Sequence, residues 1–191
     1  MRRTLVLAAI AALAGGGVAG AVALFAPPPF GQRAPAGSAI RPVWTEIKWP
    51  FPIDQWGTGK AFACRASDCG VDVTLFVRAK IGFCNCETGV ADDEELERVS
   101  DLQLVGTRHV ALDAGRSVAL ASMKGRSRPY ALDTSGRAGA SAIAVAVNDR
   151  CDVVVATAFV PGSTPVPWEP AVIAFLNEDR VRQWAEKTLG L

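Results

Sequence analysis

From residue 43 onward, the alternation of apolar and polar positions outlines most of the elements. Val71, Val73, Leu75, Val77, Ala79, Ile81 and Phe83 are apolar, and Asp72, Thr74, Arg78 and Lys80 stand between them. Only Phe76 and Gly82 break the polar set. A period of two over the thirteen residues 71–83 predicts one long strand with a buried face and a wetter face. Ser141 to Val147 and Cys151 to Val160 are almost continuously apolar (AIAVAV and VVVATAFV), with Asn148, Asp149 and Arg150 between them. They predict a hairpin of central strands covered on both faces. Three further strands are expected at 103–112, 116–124 and 127–133, with turns at Asp113 to Arg116 and at Lys124-Gly125. Trp44, Trp49, Phe51 and Trp56 precede them. Pro50 and Pro52 confine any strand there to a short edge strand near Val43 to Trp49.

The helical signals are fewer. Thr88 and Asp92 can cap a short helix over about Asp92 to Ser100, with acidic residues 92–95 in its first turn and Leu96, Val99 and Leu102 as its apolar stripe. Pro170 opens a segment with Val172, Phe175 and Leu176 on one side. Asn177 can cap a last helix whose inner face is Val181, Trp184, Ala185 and Leu189. The fold class implied is α+β: a mainly antiparallel sheet with a short middle helix and a C-terminal amphipathic helix packed on it, the helices mostly on one face. Strand hairpins followed by a terminal amphipathic helix, over the last 90 or so residues, resemble the α/β/α sandwich of PsbP-type proteins. No motif accompanies that order, and it implies no activity.

Upstream of residue 43 the composition changes. Arg2 and Arg3 precede an uncharged stretch from Thr4 to Ala26. The positive end favours the cytoplasm, which directs the rest outward. Leu5 to Ala26 would make a helix of about 33 Å, long enough to span a bilayer, and this length favours an uncleaved anchor. Ala19-Gly20-Ala21 and Ala21-Val22-Ala23 fit a signal-peptidase site, so a cleaved signal peptide is the alternative. Residues 27–42 (PPPFGQRAPAGSAIRP) read as an extended proline-rich spacer. The expected organisation is an anchor or signal peptide over 1–26, a linker over 27–42 and one domain over 43–191. It places a single-pass protein in a bacterial inner membrane with its domain in the periplasm.

Charge narrows the partners. Twenty Lys and Arg against nineteen Asp and Glu leave no basic excess, which argues against nucleic acid. The acidic run at 92–95 lacks the spacing of a calcium loop. The only histidine, His109, falls in an expected strand beside no nucleophile, and no hydrolase, zinc-protease or dinucleotide motif occurs. No catalytic residue, metal ligand or cofactor is assigned.

The five cysteines are Cys64, Cys69, Cys84, Cys86 and Cys151. In an exported domain, disulfides are the default reading. Cys64 and Cys69 enclose a short loop whose closure is worth about 2 kcal/mol. Cys84 and Cys86 share one parity and compete for Cys151, a closure worth about 4 kcal/mol. The expected set is therefore Cys64 with Cys69, Cys151 with one of Cys84 and Cys86, and one thiol left over. Two functional readings follow. The first is a membrane-tethered, non-enzymatic binding or accessory module with an envelope protein as partner and the tryptophans as a docking surface. The second is a small thiol protein that binds copper or zinc, or exchanges disulfides, through Cys84-Asn85-Cys86.

Overall fold

The two apolar arms form the centre of a single eight-stranded antiparallel sheet. A computed structural model describes residues 42–133, 139–162 and 168–191. The expected anchor and nearly all of the proline-rich linker lie outside the described residues. In chain order the strands are β1 (Trp44–Ile47), β2 (Lys60–Cys64), β3 (Val73–Lys80), β4 (Arg108–Ala111), β5 (Arg116–Leu120), β6 (Met123–Asp133), β7 (Ala140–Asp149) and β8 (Asp152–Pro161). The helices are α1 (Ala66–Cys69), α2 (Asp93–Val99), α3 (Glu169–Leu176) and α4 (Asp179–Leu189), with a 3-10 turn at Leu102–Leu104. Across the sheet the order is β1-β2-β3-β8-β7-β6-β4, and β5 also pairs with β6. Among the described residues, no helix is long and apolar enough to cross a membrane.

Both faces of this sheet are covered. The reason can be read in β7, where Ala140, Ala142, Ala144 and Ala146 alternate with Ile143, Val145 and Val147. The branched residues join Val154, Ala156 and Ala158 of β8, together with Val172, Phe175 and Leu176 of α3 and Val181, Ala185 and Leu189 of α4. The alanines join Leu96 and Val99 of α2, Leu102, Tyr130 and Leu132. Small side chains along one face of a strand leave room for a helix to lie close. The fold is α+β with the C-terminal helix on the sheet, but α2 covers the face opposite α3 and α4. The helices are thus shared between faces more evenly than the sequence implied.

Several local expectations are corrected. Residues 103–107 are not part of a strand. Leu102 turns inward and is fully buried, and the chain pairs with β6 only from Arg108. Asp113 to Arg116 is not a hairpin turn. Ala111 faces Tyr130 and Arg116 faces Ser127, so four residues of one edge bulge opposite two of β6. The bulge is held by side chains: the Gly115 N–H donates to Asp93 Oδ2 at 2.9 Å, while Arg126 and Arg128 donate to the carbonyls of Gly115 and Asp113 at 2.8 Å each. Lys124-Gly125 lies inside β6, and the turn falls at Ala121, whose φ is 51°. A side chain at Gly125 would run into the Ala146 carbonyl, so glycine is what lets β6 and β7 close up there. Asn177 ends α3 instead of opening α4. Its Nδ2 donates to the carbonyls of Ala119 and Ile173 and its Oδ1 accepts from Ala121 N–H, tying the helix to the β5–β6 turn. Of the two candidate caps Asp92, not Thr88, caps α2, accepting from Glu95 N–H at 2.8 Å.

Candidate binding surface and cysteine cluster

The wetter face expected for β3 is not wet. Arg78 and Lys80, the two charges of that strand, are 3% and 2% exposed. They share one carboxylate. Asp101, itself 3% exposed, accepts from Arg78 Nε at 2.6 Å and Arg78 Nη2 at 2.7 Å, and lies 2.9 Å from Lys80 Nζ. Lys80 also donates to the Val99 carbonyl at 2.6 Å. The remaining arm of the Arg78 fork reaches Asp54 Oδ2 at 2.7 Å. A buried charge is tolerated only when paired and hydrogen-bonded, and this fork–carboxylate arrangement meets that condition. Burial pulls the Lys80 ammonium below its usual range against the attraction of Asp101. Burial acts on Arg78 the same way, but its hydrogen bonds to Asp101 and Asp54 outweigh that and raise it. Arg78 holds Asp54 below the usual carboxylate range.

This buried cluster fastens a surface segment. Trp49 and Phe51 lie edge-on to Phe76 at centroid distances of 5.9 and 4.8 Å, and to each other at 5.3 Å. Arg78 stands over Trp49. Gly59 allows the close approach, since a side chain there would meet the Val77 carbonyl and the Trp49 ring. At the far end Asp54 accepts from Trp56 N–H at 2.8 Å while held by Arg78. Lys48, Trp49, Pro50, Phe51 and Pro52 line a shallow hollow of about 470 Å³. Next to it Ile53 stands 76% exposed, the most exposed of the large apolar side chains described. Two prolines stiffen the segment and two aromatic rings pin it, so its outer surface is preformed. Of the other expected surface tryptophans, Trp44 is buried against Phe175 at 4.6 Å, and Trp56 leans on Phe83 at 4.6 Å.

The cysteines form two bonded pairs. Cys64 closes on Cys69 across α1, with Cα atoms 5.9 Å apart and Gly70 in the left-handed region ending the turn. Cys86 is bonded to Cys151, which lies in the two-residue connection between β7 and β8. Cys84 is unpaired and buried. Burial raises the Cys84 thiol above its usual range, and Glu95 adds to the effect. Because Cys86 is engaged, Cys84-Asn85-Cys86 does not present two thiolates to a metal. Among the described residues, no group of three or more His, Cys, Asp or Glu side chains is placed to hold one. His109 is exposed on β4, its ring edge-on to Tyr130 at 5.5 Å.

Sequence reasoning missed Asp54 and Asp101, and it misplaced Arg78 and Lys80. The available signal was Phe76. A large aromatic residue among supposedly solvated positions of one strand face marks that face as covered. No family model matches the chain, and no curated protein is found to be similar to it.

Proposed function

We propose that the chain is a membrane-tethered, exported, non-enzymatic binding or accessory module of the cell envelope, with the segment Lys48 to Ile53 as its docking surface for an envelope protein. The observation that carries this reading is the contrast within that segment. Trp49 and Phe51 pin it from below and a buried ion cluster holds its end, while Ile53 and two prolines face outward. A rigid apolar surface loses little entropy on binding, and aromatic residues beside a polar rim are what partner surfaces use. Two disulfides suit an oxidising compartment. The uncharged Thr4 to Ala26 segment behind Arg2 and Arg3 supplies the tether.

The test uses the full-length chain in intact cells. A photo-crosslinking residue at Ile53 should yield one discrete adduct. The same residue at Lys187, exposed on α4 over the opposite face of the sheet, should yield none. The adduct should fractionate with the inner membrane and resist alkaline extraction. A chain recovered in the cytosol would overturn the location. Equal cross-linking from both positions would overturn the docking surface.

A further inference from the structure

Cys84 lies beside a disulfide that it does not share. Its backbone N–H donates to the Cys151 carbonyl at 3.0 Å, and its thiol donates to the Arg150 carbonyl at 3.2 Å. One backbone hydrogen bond therefore joins it to the residue to which Cys86 is bonded. The bond lengths on either side of such an N–H···O=C hydrogen bond hold the two Cα atoms about 5–6 Å apart, and a disulfide spans about 4.4–6.8 Å. Cys84 is thus within bonding reach of Cys151, like Cys86. The two rivals differ in exposure: Cys84 is buried and Cys86 is exposed.

We infer that Cys84 and Cys86 exchange places on Cys151, so that the buried thiol is delivered to the surface as a Cys86 thiol, a modification site for small-molecule disulfides. In the exchange, Cys84 gives its proton to solvent and its thiolate attacks the Cys151 sulfur. The Cys84–Cys151 bond forms as the Cys86–Cys151 bond breaks, and Cys86 leaves as a thiolate. One sulfur–sulfur bond replaces another, so no oxidant or reductant is consumed. The exposed Cys86 thiolate then attacks one sulfur of a small disulfide, and the other half departs as its thiolate. The attacking species is the anion, and the surroundings of Cys84 set how often it forms. Burial, Glu95 of α2 and Asp152 of β8 keep the proton on, while Arg98 of α2 and the backbone hydrogen bond oppose them. Exchange is therefore slow near neutrality and quickens as pH rises.

The probe is oxidised glutathione, added to the full-length chain purified without reductant at pH 7 and pH 8. Acid quenching and peptide mass spectrometry then map every disulfide. The expected product carries one glutathione on Cys86 with Cys84 joined to Cys151, formed about tenfold faster per pH unit while the thiolate is the minor form. Cys84→Ser should take up no glutathione while folded. Cys86→Ser, made in the same oxidising compartment, should contain a Cys84–Cys151 bond and no free thiol. Glutathione on Cys84 with Cys86–Cys151 intact would mean local opening, and the inference would be wrong. No uptake by the folded wild-type chain at either pH would also overturn it. Should either variant fail to fold, the wild-type map alone decides.

Discussion

The two faces of the sheet are built from opposite materials. Under α3 and α4 lie Phe62, Leu75, Ile143, Val145 and Val160, closed at one edge by the Trp44–Phe175 stack. Under α2, β7 contributes only alanines. Arginines and a lysine from β6 and β3 are answered by carboxylates of α2 and the turn after it: Arg126 with Asp93, Arg128 with Glu97, and Arg78 and Lys80 with Asp101. The first face is stabilised by area and shape. Its contacts are non-directional, and damage scales with the volume removed. The second is stabilised by matched charges in fixed geometry, and damage depends on what is left unpaired. That is why the second face also positions surface features: the Asp113–Arg116 bulge, the 3-10 turn and the segment from Lys48 to Ile53 all hang from its ion pairs.

The largest effect should come from removing the shared carboxylate. Asp101→Ala strands two buried cations, and breaking a buried pair in this way costs about 3–5 kcal/mol. On the apolar face, Leu176→Ala removes a fully buried side chain and should cost about 2–5 kcal/mol. Urea titration of both variants measures the two faces on one scale. The distinguishing readout is at the surface segment. Asp101→Ala should loosen the Arg78 fork and change tryptophan emission well below the unfolding midpoint, whereas Leu176→Ala should not. A loss for Asp101→Ala under 1 kcal/mol would mean the cluster is hydrated, and the contrast between faces would fail.

This contrast also explains what was legible. The α3 and α4 face was open to reading because Val172, Phe175, Leu176, Val181, Ala185 and Leu189 recur at helical spacing, and β7 and β8 are apolar throughout. The other face was obscure because its core residues carry charge. Arg78 and Lys80 occupy alternating positions that look solvated, and their partner, Asp101, lies 23 residues from Arg78 in the chain and ahead of a 3-10 turn that periodicity does not reveal. The edge from Arg108 to Leu120 was read as two hairpin arms for the same reason. Its bulge is held by Asp93, Arg126 and Arg128, which act from other elements. Of the candidate site, the tryptophans were visible as residues, but only packing separates buried Trp44 from the outward segment around Trp49.

A smaller perturbation probes how the cluster divides its work. Lys80→Met leaves Asp101 with the bidentate Arg78 and keeps an apolar stem near Phe83. It loses the ion pair with Asp101 and the donor to the Val99 carbonyl, a buried acceptor left unsatisfied, at a cost of about 1–3 kcal/mol. It should therefore cost less than Asp101→Ala, and combining the two should cost less than their sum, because the second change removes a cation that the first has stranded. Strict additivity in urea titrations would show that Lys80 and Asp101 do not depend on each other.

The smallest effect belongs to the rim of the same face, and it carries a pH signature. Asp93 accepts from the Gly115 N–H at 2.9 Å and from Arg126 Nε at 2.7 Å. The Gly115 hydrogen bond, then Arg126, hold its carboxyl below the usual range against the opposing pull of burial. A carboxylate whose folded pKa is depressed stabilises the fold above its unfolded pKa of about 3.9, and that contribution is lost as pH falls through the lower, folded value. Asp93→Asn keeps an acceptor for the bulge but removes the charge, so at pH 7 it should cost about 1 kcal/mol, the difference between a charged and a neutral hydrogen bond. The gap between wild type and variant should be constant from pH 7 down to about pH 5, shrink below about pH 4, and close once Asp93 is protonated in the folded state. Urea midpoints measured across that range decide the matter. A gap that persists unchanged at pH 2 would mean the variant's loss comes from altered packing of the bulge, and the charge of Asp93 would have no part in holding this face together.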